Sequence, residues 1–360
     1  MSPVFPLSRV VAAVLLFSAA SQGGGAQEVP DKLPRPDGKD ADLSRPVQVF
    51  ILMGQSNMVG LGNVGPDGKD GTLEHAVRTK GLYPYLIDDA GKWTERKDVR
   101  NVRVMVGKGG MQLFNNEWMT VTGKHLGPEH GIGHVLGQAV EAPVLLLKSC
   151  IGNRSLGWDL LPPGSEPYEH QGKTVPGYRG TPENPKGDGR KPEGAWYAGK
   201  QYDDDVENAK KVLAELGKYY PGAKTFEVAG FFWWQGEKDT YNDKLFGSAH
   251  ADNYERNLAR LIPQLRKDFN APKAKFVLAT LGEAKKGVGG SGGRVLEAQL
   301  AVDGIAGKHP EFKGNVATVY SNPLSRGGSG NSHYNGNAET YMDVGEAMGR
   351  AMAKLLASGN

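Results

Sequence analysis

Apolar residues along this chain gather into short, nearly unbroken runs that alternate with stretches of helical period. The runs VQVFILM (47–53), VRVMV (102–106), APVLLLKSC (142–150), FEVAGFFWW (226–234), AKFVLATLG (274–282) and GNVATVY (314–320) each have strand length. Helical segments separate them: GIGHVLGQAV ahead of the third run, a stretch near 203–219 ahead of the fourth, and RVLEAQLAVDGIA ahead of the sixth. Ahead of the fifth lies NYERNLARLIPQLRKDF, in which Leu258, Leu261, Ile262 and Leu265 share one face. A last helix is predicted over roughly 336–357. Strands that are apolar along their whole length, with amphipathic helices between them, predict an α/β fold. The expected form is a three-layer, doubly wound, flavodoxin-like sandwich with a mainly parallel central sheet. Such sheets bind ligands beyond the carboxyl ends of their strands. Chemistry is therefore expected in the loops GQSNM, CIGN, QGEKD, GEAKK and SNPLSRGGSGNSH.

Three segments depart from this rhythm. Residues 1–26 carry Arg9, then the apolar stretch VVAAVLLFSAA, then small residues with Gly24 and Ala26 placed for cleavage before Gln27. This reads as a secretory signal, with an uncleaved N-terminal anchor as the alternative. The expected location is periplasmic or extracellular, and no membrane span is expected in the mature protein. Residues 27–45, charged and proline-rich, read as a linker without a core of its own. The folded domain is expected over 46–358. Within it, residues at about 160–200 are rich in proline, glycine and charge, and read either as a solvated insertion or as a loop on the substrate side.

Composition narrows the function. The net charge is +3 with both signs interspersed, which is no footprint for nucleic acid. The only cysteine is Cys150, so the fold rests on its core and not on an intramolecular disulfide.

Several motifs carry possible chemistry. Ser56 follows the first buried strand directly after Gly54, where a sharp turn would present it at the open edge of the sheet. It reads equally as a nucleophile and as a helix-capping serine. GLGNVG (60–65) matches a dinucleotide fingerprint in form only, since it runs into loop and not helix, and GVGGSGG (287–293) lacks the Lys-Ser/Thr of a phosphate loop. His125, His130 and His134 have no further ligand at zinc-motif spacing, so no metal site is expected. Gln235, Glu237 and Asp239 end a buried strand, where polar groups are costly unless solvated or used. An amide there can stabilise an oxyanion, and a carboxylate can orient a histidine.

Taken together, Gly54-Gln55-Ser56-Asn57-Met58, Trp234-Gln235-Gly236-Glu237 with Asp239, and His333 ahead of the last helix resemble the SGNH-hydrolase superfamily. The likeness is to its sialate O-acetylesterase and acetylxylan esterase group, including carbohydrate esterase family 6, and it runs over roughly 47–357. It implies a secreted carbohydrate O-acetylesterase working through an acetyl-serine, with no metal or organic cofactor and an acetylated carbohydrate as partner. Ser56 would be the nucleophile and His333 the base. The oxyanion donors would be the Ser56 backbone, Gly152, Asn153 and Gln235. The acid that this group often carries three residues before the histidine is replaced by Gly330. Glu237 is therefore expected to complete the triad, with Asp239 or a bare Ser56–His333 dyad as alternatives. Gln55, Asn57, Trp158, Trp196 and Tyr197 are candidates for substrate contact. Competing functions are an esterase for another acyl group and a secreted carbohydrate-binding protein without catalysis.

Overall fold

A computed structural model describes residues 27–194 and 196–359, so the expected signal segment lies outside the described residues. The chain enters the sheet at β1 (Val47–Gly54), then forms the one-turn helix α1 (Ser56–Val59) and the short β2 (Gly62–Asn63). A long hairpin follows, β3 (Arg96–Gly107) and β4 (Gly110–Met119), then β5 (His125–Leu126), α2 (Glu129–Ala139) and β6 (Val144–Ser149). A minor hairpin, β7 (Tyr168–His170) and β8 (Lys173–Val175), precedes α3 (Lys200–Ala214), α4 (Leu216–Tyr219) and β9 (Phe226–Trp234). The chain closes through α5 (Ala249–Asp252), α6 (Tyr254–Asp268), β10 (Lys275–Ala279), α7 (Gly290–Ala301), β11 (Val316–Val319) and α8 (Ala338–Ala357).

Seven strands form one sheet in the order β11-β10-β9-β1-β6-β3-β4, parallel except for the edge strand β4. The α/β sandwich read from the sequence is thus present, with one unforeseen strand. In β4, GMQLFNNEWM mixes polar and apolar residues because it lies at an edge and is mostly only half-buried. Alternation along β1 divides the core. Val49, Ile51 and Met53 face α3, α6 and α7, while Phe50 and Leu52 face α2 and α8. Both faces are buried, which is why β1 shows no polar alternation. Among the described residues no helix is long and apolar enough to cross a membrane.

Two segments pack more closely than their composition predicts. In the stretch 27–45, Leu33 is buried in the core beneath β1, and Arg350 of α8 donates to the carbonyls of Pro30 and Asp31. In the insertion, Leu160, Leu161, Val175 and Tyr197 are buried, whereas 181–194 is largely exposed. The Tyr178 and Tyr197 hydroxyls both donate to Asp203 of α3, pinning the insertion to that helix.

Candidate active site

The centre of the sheet supplies the turn that presents Ser56. Gly54 pairs with Trp234 at the ends of adjacent parallel strands. Its φ is +143°, and a Cβ there would lie 2.3 Å from the Trp234 carbonyl oxygen. Only glycine fits a backbone so disposed. The chain then turns, and the Gln55 N–H donates to the same carbonyl at 3.2 Å.

The residues on either side of Ser56 are locked to one carboxylate. Gln55 Nε2 donates to Glu237 Oε2 and Asn57 Nδ2 to Glu237 Oε1, each at 2.6 Å. All three are buried. The Asn57 side chain also accepts from the Tyr341 hydroxyl at 3.1 Å. Glu237 therefore braces the Ser56 turn from beneath. Burial, then the nearby Glu283, push its carboxyl up to about 7. Behind the turn, Lys148 of β6 donates to the Val59 carbonyl at 2.9 Å and pairs with Glu129 inside the core. A lysine within an otherwise apolar strand is the sequence trace of that support.

The second block approaches Ser56 from β6. A Cβ on Gly152 would stand 3.3 Å from Ser56 Cβ, so Gly152 lies beside Ser56. Asn153 follows in a left-handed conformation, φ +57°, and is exposed. The loop is shaped by two buried groups. Gln235 Nε2 donates to the Arg154 carbonyl at 2.9 Å and to Asp239 Oδ2 at 2.6 Å, while its Oε1 accepts from the Tyr254 hydroxyl at 2.8 Å. Asp239 also accepts the N–H groups of Leu156 and Gly157 at 2.8 and 2.7 Å.

His333 arrives from the far side on a tight turn, residues 330–336. Asn57 Nδ2 donates to the Gly330 carbonyl at 3.2 Å, which ties this turn to the residue after Ser56. His333, Tyr334 and Asn335 all adopt left-handed conformations, φ between +51° and +53°. Tyr334 fills the core beneath, stacked on Trp234 at 5.9 Å and edge-on to Tyr341 at 5.9 Å. Partial burial moves the His333 imidazole below its usual value, which favours the neutral form a general base requires.

Several of the expected site residues bond to other partners in this structure. Glu237 gives its oxygens to Gln55 and Asn57 and, among the described residues, makes no hydrogen bond to His333, so in this structure it anchors the Ser56 turn. Asp239 does not take that place either, because its oxygens hold the 154–157 loop. The Gln235 amide is fully engaged and buried, so it organises the Gly152 loop and does not face an oxyanion. Gln55 and Asn57 are inside, bound to Glu237, not presented to substrate. Tyr197 is buried as well. Trp196 is 40% exposed but has Arg154 at 4.7 Å and Lys200 at 5.6 Å over its ring. Trp158 is half-buried. Sequence reasoning missed Tyr334 and Glu283. Glu283 sits in the GEAKK loop at the end of β10, a strand end where a carboxylate is a signal in itself. Among the described residues no cluster of potential ligands suits a metal ion.

Comparisons with known proteins bear on this arrangement. The family model described as carbohydrate esterase, sialic acid-specific acetylesterase, matches residues 188–354. That span contains Glu237, Glu283 and His333 and leaves Ser56 outside it. It bears out the likeness to the sialate O-acetylesterase group and supports a carbohydrate acetylesterase. No curated protein matches the sequence. Among solved structures, a protein from Arabidopsis thaliana aligns at 18% identity over 86% of this chain and 98% of its own, with a TM-score of 0.47. A carbohydrate acetylesterase from Xanthomonas citri aligns at 14% identity over 87% of this chain and 57% of its own, with a TM-score of 0.49.

Proposed function

We propose that this chain, which carries the carbohydrate esterase likeness over 188–354, is an exported serine esterase that removes O-acetyl groups from carbohydrates. The observation that carries the reading is the convergence on one sheet edge of three turns. Ser56 stands between two residues bound to Glu237, the Gly152 backbone lies against its Cβ, and the His333 turn is tied to Asn57.

The chemistry follows from the groups present. Ser56 Oγ attacks the acetyl carbonyl carbon as His333 takes the hydroxyl proton. The carbonyl oxygen becomes an oxyanion that accepts from backbone N–H groups at Ser56 and Gly152 and from Asn153. Each such donor contributes about 3 kcal/mol in comparable sites. The tetrahedral intermediate collapses, the C–O bond to the sugar breaks, and His333 returns its proton to the leaving sugar oxygen. Water, deprotonated by His333, then attacks the acetyl-serine carbonyl; the bond from that carbon to Ser56 Oγ breaks, His333 returns the proton to Oγ, and acetate departs. In this scheme Ser56 and His333 act as a dyad, and Glu237 serves by fixing the nucleophile. The matched family's description names sialic acid, so O-acetylated sialic acid is the first substrate to test, with acetylated xylan second.

The deciding experiment compares wild type with Ser56→Ala on 4-nitrophenyl acetate, then measures acetate release from a panel of acetylated glycans. Wild-type turnover abolished by the substitution supports the esterase. Equal rates would sink it, and sugar binding without turnover would favour the carbohydrate-binding alternative.

A further inference from the structure

The place where the SGNH histidine block often has an acid is Gly330, and the space its side chain would occupy is not vacant. A Cβ built on Gly330 would lie 2.6 Å from Glu237 Oε1, 2.7 Å from Glu283 Oε2 and 3.2 Å from the Tyr334 hydroxyl. Two carboxylates from two other strand ends thus converge on the site of the missing side chain. Glu237 follows β9 and Glu283 follows β10.

Both reach the same residue, Glu283 directly and Glu237 through Asn57. Gly330 N–H donates to Glu283 Oε2 at 3.0 Å. Gly330 C=O accepts from Asn57 Nδ2 at 3.2 Å, and Asn57 is itself held by Glu237 at 2.6 Å. Three residues further on, the backbone runs through three consecutive non-glycine residues in the left-handed region. Each such residue costs about 1 kcal/mol or more, and the conformation persists only where surrounding contacts over-determine it. The turn's own hydrogen bonds supply part of that: the Ser332 and Tyr334 N–H groups donate to the Ser329 carbonyl, and Asn335 Nδ2 donates to the Gly327 carbonyl. Asn331, Ser332 and Asn335 are exposed, and of the side chains between 331 and 335 only Tyr334 is buried. Tyr334 in the core and Gly330 between the carboxylates tie the turn to the strand ends.

We propose that Glu283 is a positioning residue: with Glu237 it fills the place of the side chain that Gly330 lacks and clamps the strained turn that presents His333. Glu283 acts through the Gly330 peptide and does not touch the ester. It substitutes for the local acid by holding backbone, where an aspartate in the turn would hold the imidazole. The proposal rests on the esterase reading for its kinetic consequence and on geometry alone for its structural one.

The test uses the full exported chain in wild-type form and as Glu283→Ala and Glu283→Gln, the latter keeping an oxygen that can face the Gly330 N–H. Hydrogen exchange of peptides covering 326–337 is followed by mass spectrometry. The clamp predicts that alanine speeds exchange of this segment about tenfold or more while glutamine stays close to wild type. On 4-nitrophenyl acetate, alanine should lower kcat about tenfold or more with KM unchanged, and glutamine should recover most of it. Unaltered exchange in Glu283→Ala, or a glutamine variant no better than alanine, overturns the clamp. Should wild type fail to hydrolyse acetyl esters, the esterase reading falls while the exchange comparison still decides the clamp.

Discussion

Two turns meet at the centre of this sheet, and they are built in opposite ways. The nucleophile turn leaves a fully buried strand, uses glycine at its one left-handed position, and has both flanking side chains bonded to a buried carboxylate. The histidine turn is partly exposed, has three left-handed residues that are not glycine, and rests on one buried ring, on Gly330 held from two sides and on its own short-range hydrogen bonds. The first is held by packing and satisfied polar groups, so its geometry follows wherever the sheet forms. The second stores strain and depends on residues from three other segments. In the proposed reaction the nucleophile is the fixed element and the base the adjustable one.

The largest expected effect breaks the comparison at its chemistry. Ser56→Ala and His333→Ala should each lower kcat/KM for an acetyl ester by about a thousandfold or more. Retention of most activity by the histidine variant would show that the second turn presents something other than the base.

Next comes the backbone of the first turn. Gly54→Ala places a methyl group 2.3 Å from the Trp234 carbonyl at a φ of +143°. A loss of about 3 kcal/mol in unfolding free energy is expected from strain and overpacking together, read from urea denaturation. A stability equal to wild type would mean that the strand ends are looser than this geometry.

A smaller effect concerns the carboxylate beneath the turn. Burial raises Glu237 from an ordinary 4.5 to about 7, so the native state holds its proton more tightly than the unfolded chain does. The stability linked to that proton is full below 4.5 and is lost as pH rises through about 7. Glu237→Gln cannot ionise, and Gln55 Oε1, which has no partner among the described residues, can accept from the new amide once the Gln55 side chain flips. The stability of the variant should be flatter over this interval, the difference from wild type growing by up to about 3 kcal/mol towards the alkaline end. Parallel curves for the two proteins would place the ionisation elsewhere.

The smallest effect sharpens the account of the second turn. Among the described residues the Tyr334 hydroxyl is buried without a hydrogen-bond partner, whereas its ring stacks on Trp234. Tyr334→Phe should therefore leave stability within about 0.5 kcal/mol of wild type or improve it, while Tyr334→Ala should cost about 3 kcal/mol or more. A strongly destabilised phenylalanine variant would reveal a role for the hydroxyl that the ring packing does not supply.

The sequence by itself determined the sandwich, the positions of Ser56 and His333 at strand and turn ends, and the glycine turn before the serine. Those features are local: period, apolar runs and a turn glycine are written into neighbouring residues. The edge strand β4 escaped because an edge position relaxes the apolar requirement that made the other strands visible. Only the tertiary structure decided what the polar residues at the strand ends do. Gln235, Glu237 and Asp239 carry the right chemistry for an oxyanion donor and a triad acid, and that chemistry drew the expectation. Their hydrogen bonds run instead to Arg154, Gln55, Asn57, Leu156 and Gly157, because a buried polar atom bonds to whatever partner the fold brings within reach. Gly330 belongs to the same class. Along the chain it is an acid missing from its place, and in space it is the gap that Glu237 and Glu283 fill from the ends of β9 and β10.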